Sequence, residues 1–469
     1  TSLIFFQSLP AQDKSNRGKE FWLGYGYNYS FYPHPGDPVA NGQEMAIYIS
    51  TELAATVTVS INSTGWTQTL NIPANTVDAT ILIPKSGPND ARILTDGLST
   101  KGIHIVSDVP VAAYAHVYNL MLSGATMLMP VESYGYSYYS INYYQTTSQS
   151  SPEDWYSWFY AVASEDNTRL EITPSDSTQN GWLPGQTYTV NLNKGEMFSV
   201  FGKALFNGDP ARASKDMTGS KIISVPGNDN KCHPFGLFSG SAGLRLCRGD
   251  GGEFVHQQVF PAQAWGTRYL THHMLNNTNT NINSTFRNYY RICVADPTTV
   301  VKRNGVVMTG INKNFFYEYM DSTGGDYYTS DKPMLVAQYT PNKNQCWNFL
   351  QNQYGDPEMF YLSPVEQGQK SVLFYVSSKF GIDYVYSNII IPTAGISSLR
   401  VDGSPIPAAQ IKVHPNNPAY SVAVANLSNI DMQHTITSDS TFTGTVYGIG
   451  YFESYGYNVG TLINNLNYY

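Results

Sequence analysis

Carboxylates are the first residues to weigh for chemistry, because a glycosidase acts through a pair of carboxyl groups. Glu132, Glu253 and Glu366 recur at similar places, each near a proline turn. An acid and its partner need a set separation in space, which recurrence along a sequence does not provide. Recurrence at equivalent places favours a shared structural role. We therefore expect a protein that is not an enzyme, with a polysaccharide hydrolase as the least favoured alternative.

The sequence indicates neither a serine nucleophile nor a metal site. The run Ser239-Gly-Ser-Ala-Gly243 has the wrong spacing for a nucleophile elbow and is interpreted as a flexible loop. His272 and His273 are adjacent, so in a strand they point to opposite faces and cannot share a metal, and we expect them at the surface. Cys-x-x-Cys does not occur. The prediction is no catalytic residue, no metal and no cofactor.

The four cysteines are an even set, and an exported chain permits them to pair. Three connectivities are open. We favour Cys232 with Cys247, because this bond closes a Gly/Ser-rich loop and would contribute about 3 kcal/mol by restricting the unfolded chain. Cys293 with Cys346 then follows by elimination. Four unpaired thiols are the alternative.

Aromatic residues give the best indication of a ligand. The chain has 36 Tyr, and several of them cluster on segments such as Tyr134–Tyr139. Such rings are rigid and amphipathic, as is common at interfaces. Tyrosine also favours strands, so the alternative is that the rings cover sheet faces between repeats. The aromatics that we predict to face a ligand are Tyr25, Tyr27, Tyr136, Tyr138, Tyr139, Trp265, Tyr455 and Tyr457.

The composition indicates the class of fold that must position these residues. Charged residues make up 13% of the 469-residue chain and aromatics 14%, with 39 Gly and 26 Pro. This balance suits strands joined by turns and predicts an all-β protein. The net charge of -8 is spread without a long run. Neither nucleic acid nor an anionic membrane surface is therefore an expected partner.

The first residues predict export. Residues 1–11 are mainly apolar and end on Ala11, which is typical of the end of a signal peptide. An ordinary apolar strand is the alternative. No other stretch reaches the length of apolar sequence that a membrane span needs. We expect a protein that is secreted or held at the outer cell surface.

Internal repetition predicts four units. A strand that opens after Pro110, Pro234 or Pro333 is followed each time by a second motif, built around Pro130, Pro261 or Pro364. Each repeat is long enough for a small sandwich. We predict tandem β-sandwich-like repeats, with a propeller-like array of antiparallel sheets as the alternative. The predicted units are residues 12–145, 146–272, 273–375 and 376–469.

Several weak motifs in a fixed order resemble the IgGFc-binding protein N-terminal domain family, in the form of its bacterial secreted or surface members. They include Gly18-Lys-Glu-Phe-Trp-Leu-Gly24, Trp265-Gly266 after Pro261, and Gly355-Asp-Pro-Glu-Met359. The resemblance implies a non-enzymatic extracellular module that binds a glycan or a protein. A structural spacer that displays other domains is the alternative. The resemblance to such members also implies further domains beyond Tyr469.

Three Asp-Ser-Thr triplets resemble the acceptor motif for O-glycosylation in bacteria that use type IX secretion. The predicted acceptors are Ser177, Ser322 and Ser440. Each triplet lies in a Gly/Ser/Thr-rich stretch that we expect to form a turn. A polar turn is the alternative explanation, because Asp, Ser and Thr bond their own backbone there. On the glycosylation hypothesis the chain is a secreted glycoprotein.

Overall fold

Antiparallel strands and short 3₁₀ turns make up the regular structure of the chain, as a computed structural model shows. This confirms the all-β, sandwich-like prediction. The structure describes residues 14–31, 41–119, 122–145, 155–205, 213–246, 253–275, 282, 288–321, 324–340, 355–379, 381–427 and 431–467. The turns are η1 (Tyr29–Phe31), η2 (Gly87–Asn89), η3 (Val131–Ser133), η4 (Ala262–Ala264), η5 (Val365–Gln367), η6 (Thr393–Ser398) and η7 (Ala408–Gln410).

The strands fall into four consecutive sets, which we call units 1 to 4. Unit 1 contains β1 (Arg17–Leu23), β2 (Glu44–Thr51), β3 (Ala55–Ile61), β4 (Thr67–Ile72), β5 (Thr76–Leu82), β6 (Gly97–Ser99), β7 (Ile103–Tyr118) and β8 (Gly124–Met127). Unit 2 contains β9 (Ser137–Tyr139), β10 (Ser157–Ala163), β11 (Thr168–Thr173), β12 (Tyr188–Leu192), β13 (Met197–Phe201), β14 (Lys221–Val225), β15 (Phe235–Leu244) and β16 (Glu253–Gln258).

Units 3 and 4 repeat this pattern with fewer strands. Unit 3 contains β17 (Gly266–Leu270), β18 (Asn288–Val294), β19 (Val301–Arg303), β20 (Val306–Val307), β21 (Phe316–Asp321), β22 (Tyr327–Tyr339) and β23 (Met359–Tyr361). Unit 4 contains β24 (Gln369–Tyr375), β25 (Ile382–Pro392), β26 (Arg400–Val401), β27 (Ile411–Val413), β28 (Tyr420–Asn426), β29 (Gln433–Gly450) and β30 (Glu453–Asn458).

One long strand organises each unit. In unit 1 this is β7, whose first half pairs with β1 and β3 and whose second half pairs with β2 and β8. Strands β22 and β29 hold the equivalent positions in units 3 and 4. In unit 2 the long strand is divided into β14 and β15, and its halves lie in two separate sheets. The two halves of each long strand therefore pair with different sets of antiparallel strands, which form two layers.

The run Ser239–Gly243 is part of β15, so the prediction of a flexible loop there is wrong. All ten residues of β15 are buried. A Cβ on Gly240 would lie 2.4 Å from the Trp158 ring, and one on Gly243 would lie 2.0 Å from the Trp155 ring. The small residues that suggested a loop are needed because two tryptophan rings lie against this strand.

The proline motifs form the junctions between units. A Cβ on Gly18 would lie 2.2 Å from Cβ of Pro130, at the start of η3, and Gly266 has the same relation to Pro364, at the start of η5. Only glycine leaves room for such an approach. The Glu366 carboxylate accepts hydrogen bonds from Thr267 at the same junction. This contact agrees with the structural role predicted for the recurring carboxylates.

Four short strands, one from each unit, meet at the centre and are called the axis: β8, β16, β23 and β30. Every residue of these strands is buried. Strand β8 contacts β16 and β30, and β23 contacts the same two strands. The four units therefore close into a ring. The first and last described segments complete it, since the Ile463 amide donates to the Lys14 carbonyl at 2.7 Å.

Candidate binding groove

Six of the eight aromatics predicted to face a ligand are buried. Their relative exposure is 3% or less. Their rings are inaccessible in this structure, so these six positions are corrected from ligand-facing to core. The six are Tyr25, Tyr27, Tyr138, Trp265, Tyr455 and Tyr457.

Inter-unit packing is the physical reason for much of this burial. Between units 1 and 2, the Trp158 indole N–H donates to the Tyr27 carbonyl at 2.8 Å, and the Tyr27 ring centroid lies 5.4 Å from that of Phe201. Between units 4 and 1, the centroids of Tyr457 and Tyr114 are 4.9 Å apart. Burial raises the pKa of the Tyr457 phenol. The alternative interpretation, rings covering sheet faces between repeats, applies at these interfaces.

Tyr136 and Tyr139 are the two predicted aromatics that reach the surface. Tyr136 is 50% exposed, and Tyr139 is half-buried. Both line a groove of about 440 Å³ at the edge of unit 2. Trp265 supports this groove from below, because its ring centroid lies 5.5 Å from that of Tyr139. The full lining is Tyr136, Ser137, Tyr139, Lys221, Ile223, Ser224, Gln263, Asn465 and Asn467.

Strand alternation explains which side chains face the groove. In the β9–β14 ladder, Tyr139 is opposite Lys221 and Tyr138 is opposite Ile222. Tyr138 and Ile222 are buried. Successive side chains of a strand point to opposite faces, so Tyr139 and Lys221 lie on the outer face together. The floor of the groove is therefore the outer face of this edge ladder.

The C-terminal segment forms the opposite wall. The Asn467 side-chain amide donates to the Trp265 carbonyl at 2.7 Å, and the Leu466 amide donates to the Gln263 carbonyl at 2.8 Å. These bonds tie the segment to η4 and its flanks. Asn465 is exposed beside them. Amide side chains thus face the tyrosines across the groove.

Lys221 supplies the positive charge of the groove. Its side chain is exposed, and it forms no ion pair with any residue that the structure describes. An exposed ammonium group donates hydrogen bonds in any of three directions. The groove therefore combines an open aromatic ring, amides that donate and accept, and one cation.

The paired histidines differ from the prediction. His272 and His273 are buried rather than at the surface, and their ring centroids lie 4.2 Å apart. Burial lowers the pKa of His273 to about 3. Neutral imidazole rings can pack in a core, here tilted by 31° to each other, which explains why the surface prediction is wrong. Within the described ranges, no three His, Cys, Asp or Glu side chains assemble into a metal site.

The two described cysteines, Cys232 and Cys293, and the two described acceptor serines, Ser177 and Ser440, are not part of the groove lining. Cys232 is exposed and Cys293 is buried, and neither is bonded to another cysteine that the structure describes. Burial raises the pKa of the Cys293 thiol to about 12. The favoured partners, Cys247 and Cys346, lie outside the described residues, so both pairings stay predictions. Ser322 also lies outside them.

The two described acceptor serines are both half-buried. Ser177 follows Asp176, whose carboxylate accepts from the Ser177 amide at 2.8 Å. Ser440 lies within β29 rather than in a turn. Its Oγ stands 2.5 Å from where a Cβ on Gly395 would be. Glycosylation of these serines stays a prediction.

Seven of the nine groove residues were not predicted from the sequence: Ser137, Lys221, Ile223, Ser224, Gln263, Asn465 and Asn467. Burial alternates along Ser137–Tyr139 and along residues 221–223 in the structure, but Ser-Tyr-Tyr and Lys-Ile-Ile do not alternate between polar and apolar residues, so the sequence carried no period-two signal there. No local pattern connects Asn465 or Asn467 with unit 2. Their place depends on ring closure, which brings the end of the chain to η4.

The fold is an all-β assembly of repeated units with an open groove at the edge of unit 2. The chain belongs to the IgGFc binding protein family, whose sequence signature matches residues 124–448. This match confirms the resemblance, and membership in this family indicates an extracellular binding module. No curated protein matches the chain. Over the residues that the structure covers, no helix is both long and apolar enough to cross a membrane.

Proposed function

We propose that this chain is an extracellular binding module that holds a glycan in the Tyr136 groove. The exposed Tyr136 ring beside Tyr139 carries the proposal. Among the predicted aromatics, these two alone combine an accessible ring with a concave surface. A volume of about 440 Å³ lies within the range of small-ligand sites.

The groove has the chemistry that a sugar requires. Aromatic rings offer a flat apolar face with a polar edge, which suits the C–H face of a pyranose. Gln263 and Asn465 add amide groups that can both donate to and accept from hydroxyls. Lys221 adds a donor that also favours an acidic sugar. The lining thus matches both the apolar and the polar surfaces of a glycan.

A protein ligand is the second candidate, and the family description favours it. Members are described as IgGFc binding proteins, so the Fc part of immunoglobulin G is the protein to test first. Tyrosine is enriched in protein interfaces, where one exposed ring often contributes strongly to affinity. The same groove would then form the centre of a larger contact.

Replacing Tyr136 with Ala tests the site. We expect Y136A to lower affinity for the bound ligand about tenfold to a hundredfold, because the exposed ring is lost. Its thermal midpoint should stay close to that of the wild type, because surface rings contribute little to stability. Binding of the wild type is first measured on a glycan array and on immobilised Fc.

Tyr451→Ala is the matched control, because Tyr451 is a 56% exposed tyrosine of unit 4, outside the groove lining. Equal loss in Y136A and Y451A would contradict the groove as the site. Binding to Fc alone would favour the protein ligand. A wild type that binds neither array nor Fc would favour the structural spacer.

A further inference from the structure

Four carboxyl groups lie buried around the axis. Glu253 begins β16, Asp356 and Glu358 lie at or just before β23, and Glu453 begins β30. Their relative exposure is 0%, 1%, 0% and 5% respectively. Glu253 was grouped with the proline turns in the sequence, but it faces the axis instead. Buried carboxyl groups are costly unless they are paired or protonated.

Glu358 and Gln257 connect all four units. The Glu358 carboxyl group accepts from the Gly456 amide of unit 4 at 3.3 Å and lies beside the Gln257 side chain of unit 2. Gln257 Nε2 donates to the Ala125 carbonyl of unit 1 at 2.7 Å and to the Gly456 carbonyl at 3.0 Å. This pair of side chains thus ties the ring together at its centre.

Glu253 forms a second tie between units, and other carboxyl groups lie around it. Its Oε1 accepts from the Ser123 amide of unit 1 at 2.6 Å and from the Phe254 amide at 2.8 Å. Its Oε2 is buried without a hydrogen-bond partner among the described residues. Asp356 and Glu453 face it from units 3 and 4, and their charges oppose its ionisation.

We propose that the axis is an acid-strengthened clasp, which holds the four units most tightly when Glu253 and Glu358 are protonated and loosens as the pH rises. Protonation removes the repulsion between neighbouring carboxylates without breaking the bonds that Oε1 of Glu253 accepts. The clasp requires no ligand, so it is independent of the proposed groove function.

The direction of the pH effect follows from linkage. Burial raises the pKa of Glu253 and of Glu358 well above the usual carboxyl range. A group whose pKa is raised on folding adds stability below its unfolded pKa, and this stability is lost as the pH rises through the folded pKa. The clasp is therefore complete in acid and weakens toward neutral and alkaline pH.

Histidines near the axis change the pH dependence of stability in the opposite direction. His116 contacts the Ser123 hydroxyl at 2.9 Å, and His256 lies on β16. Burial lowers the pKa of both to about 3. Their contribution is lost as the pH falls below 6.5, because the unfolded histidines then take up protons. A wild-type pH curve sums both effects, so the difference between variants is the useful quantity.

Glu253→Gln tests the clasp, because the amide is an uncharged group of the same shape. The thermal midpoint of full-length E253Q and wild type is measured from about pH 5 to about pH 9. We expect the two proteins to have similar thermal midpoints at the acid end of the range. At each higher pH, the midpoint of E253Q should rise further above that of the wild type. Glu132→Gln, at an exposed carboxylate of η3, should show no such gain.

A constant or shrinking difference between E253Q and wild type would overturn the clasp. If E253Q does not fold, the infrared spectrum of the wild type decides the matter. A protonated buried carboxyl group gives a C=O stretching band that an ionised one lacks. Such a band at neutral pH supports the clasp, and its absence overturns it. Neither measurement involves ligand binding, so a negative result here would not count against the groove proposal.

Discussion

The axis and the groove both carry polar side chains on or beside short strands, yet these side chains contact different partners. At the axis, Gln257 and Glu358 are buried and bond to the protein itself. In the groove, Tyr136 and Lys221 are exposed and leave polar groups open to solvent. Polar residues at the axis therefore hold the units together, whereas those of the groove remain available to a ligand.

Among the changes that test the difference between axis and groove, Gln257→Ala should have the largest effect on stability. The change removes the donor to the Ala125 and Gly456 carbonyls and leaves a cavity at the axis. We expect a loss of about 2–4 kcal/mol in the free energy of unfolding, because buried polar groups lose their partner. Urea denaturation measures the loss. Ligand affinity of the folded fraction should be unchanged.

Gln68→Ala is the control for Q257A, because Gln68 lies half-exposed on the outer strand β4. Its free energy of unfolding should change by less than about 0.5 kcal/mol. If Q257A were as stable as Q68A, the axis would not hold the ring closed. If Q257A weakened binding as strongly as Y136A, the two regions would not be separate.

A smaller effect on stability is expected from Asn467→Ala. The side chain ties the C-terminal wall of the groove to the Trp265 carbonyl. We expect a stability loss of about 1 kcal/mol, because a short, partly buried bond to the Trp265 carbonyl and two longer ones to the Ala262 and Gln263 carbonyls are removed. Affinity should fall more clearly, because the wall loses its position. Calorimetric binding and thermal unfolding on the same sample measure both quantities.

Asn191→Ala, at an exposed position of β12, is the matched control for N467A. It should alter neither stability nor affinity. Unchanged affinity in N467A would mean that the C-terminal segment is no part of the binding site, and the groove would then be limited to the β9–β14 ladder and η4.

Much of the fold was predictable because its signals are local. Period-two alternation at Ala55–Ile61 matches a strand that is buried on one face. The recurring Pro130 and Pro364 motifs were visible in the sequence, whereas the close packing of Gly18 and Gly266 on these prolines was not. Ring closure was not predictable, since it depends on contacts between segments as distant as Lys14 and Ile463.

The candidate site was predicted in part. Tyr136 and Tyr139 were identified, but the same reasoning also selected buried rings such as Tyr25 and Tyr455. Tyrosine has an apolar ring and a hydroxyl, so its presence in a strand does not distinguish a ligand surface from an interface between units. Tyr25 donates its hydroxyl to the Ala46 carbonyl at 2.6 Å, a bond that only the folded structure reveals.

Hydrogen–deuterium exchange with and without bound ligand tests the central claim most directly. The ligand is the glycan that binds best on the array or, if none binds, the Fc fragment. We predict added protection at Tyr136–Tyr139, at Lys221–Ser224 and at residues 465–467, with no change in the axis strand Glu253–Gln258. Protection confined to other segments, with these three unchanged, would contradict the groove as the binding surface of this protein.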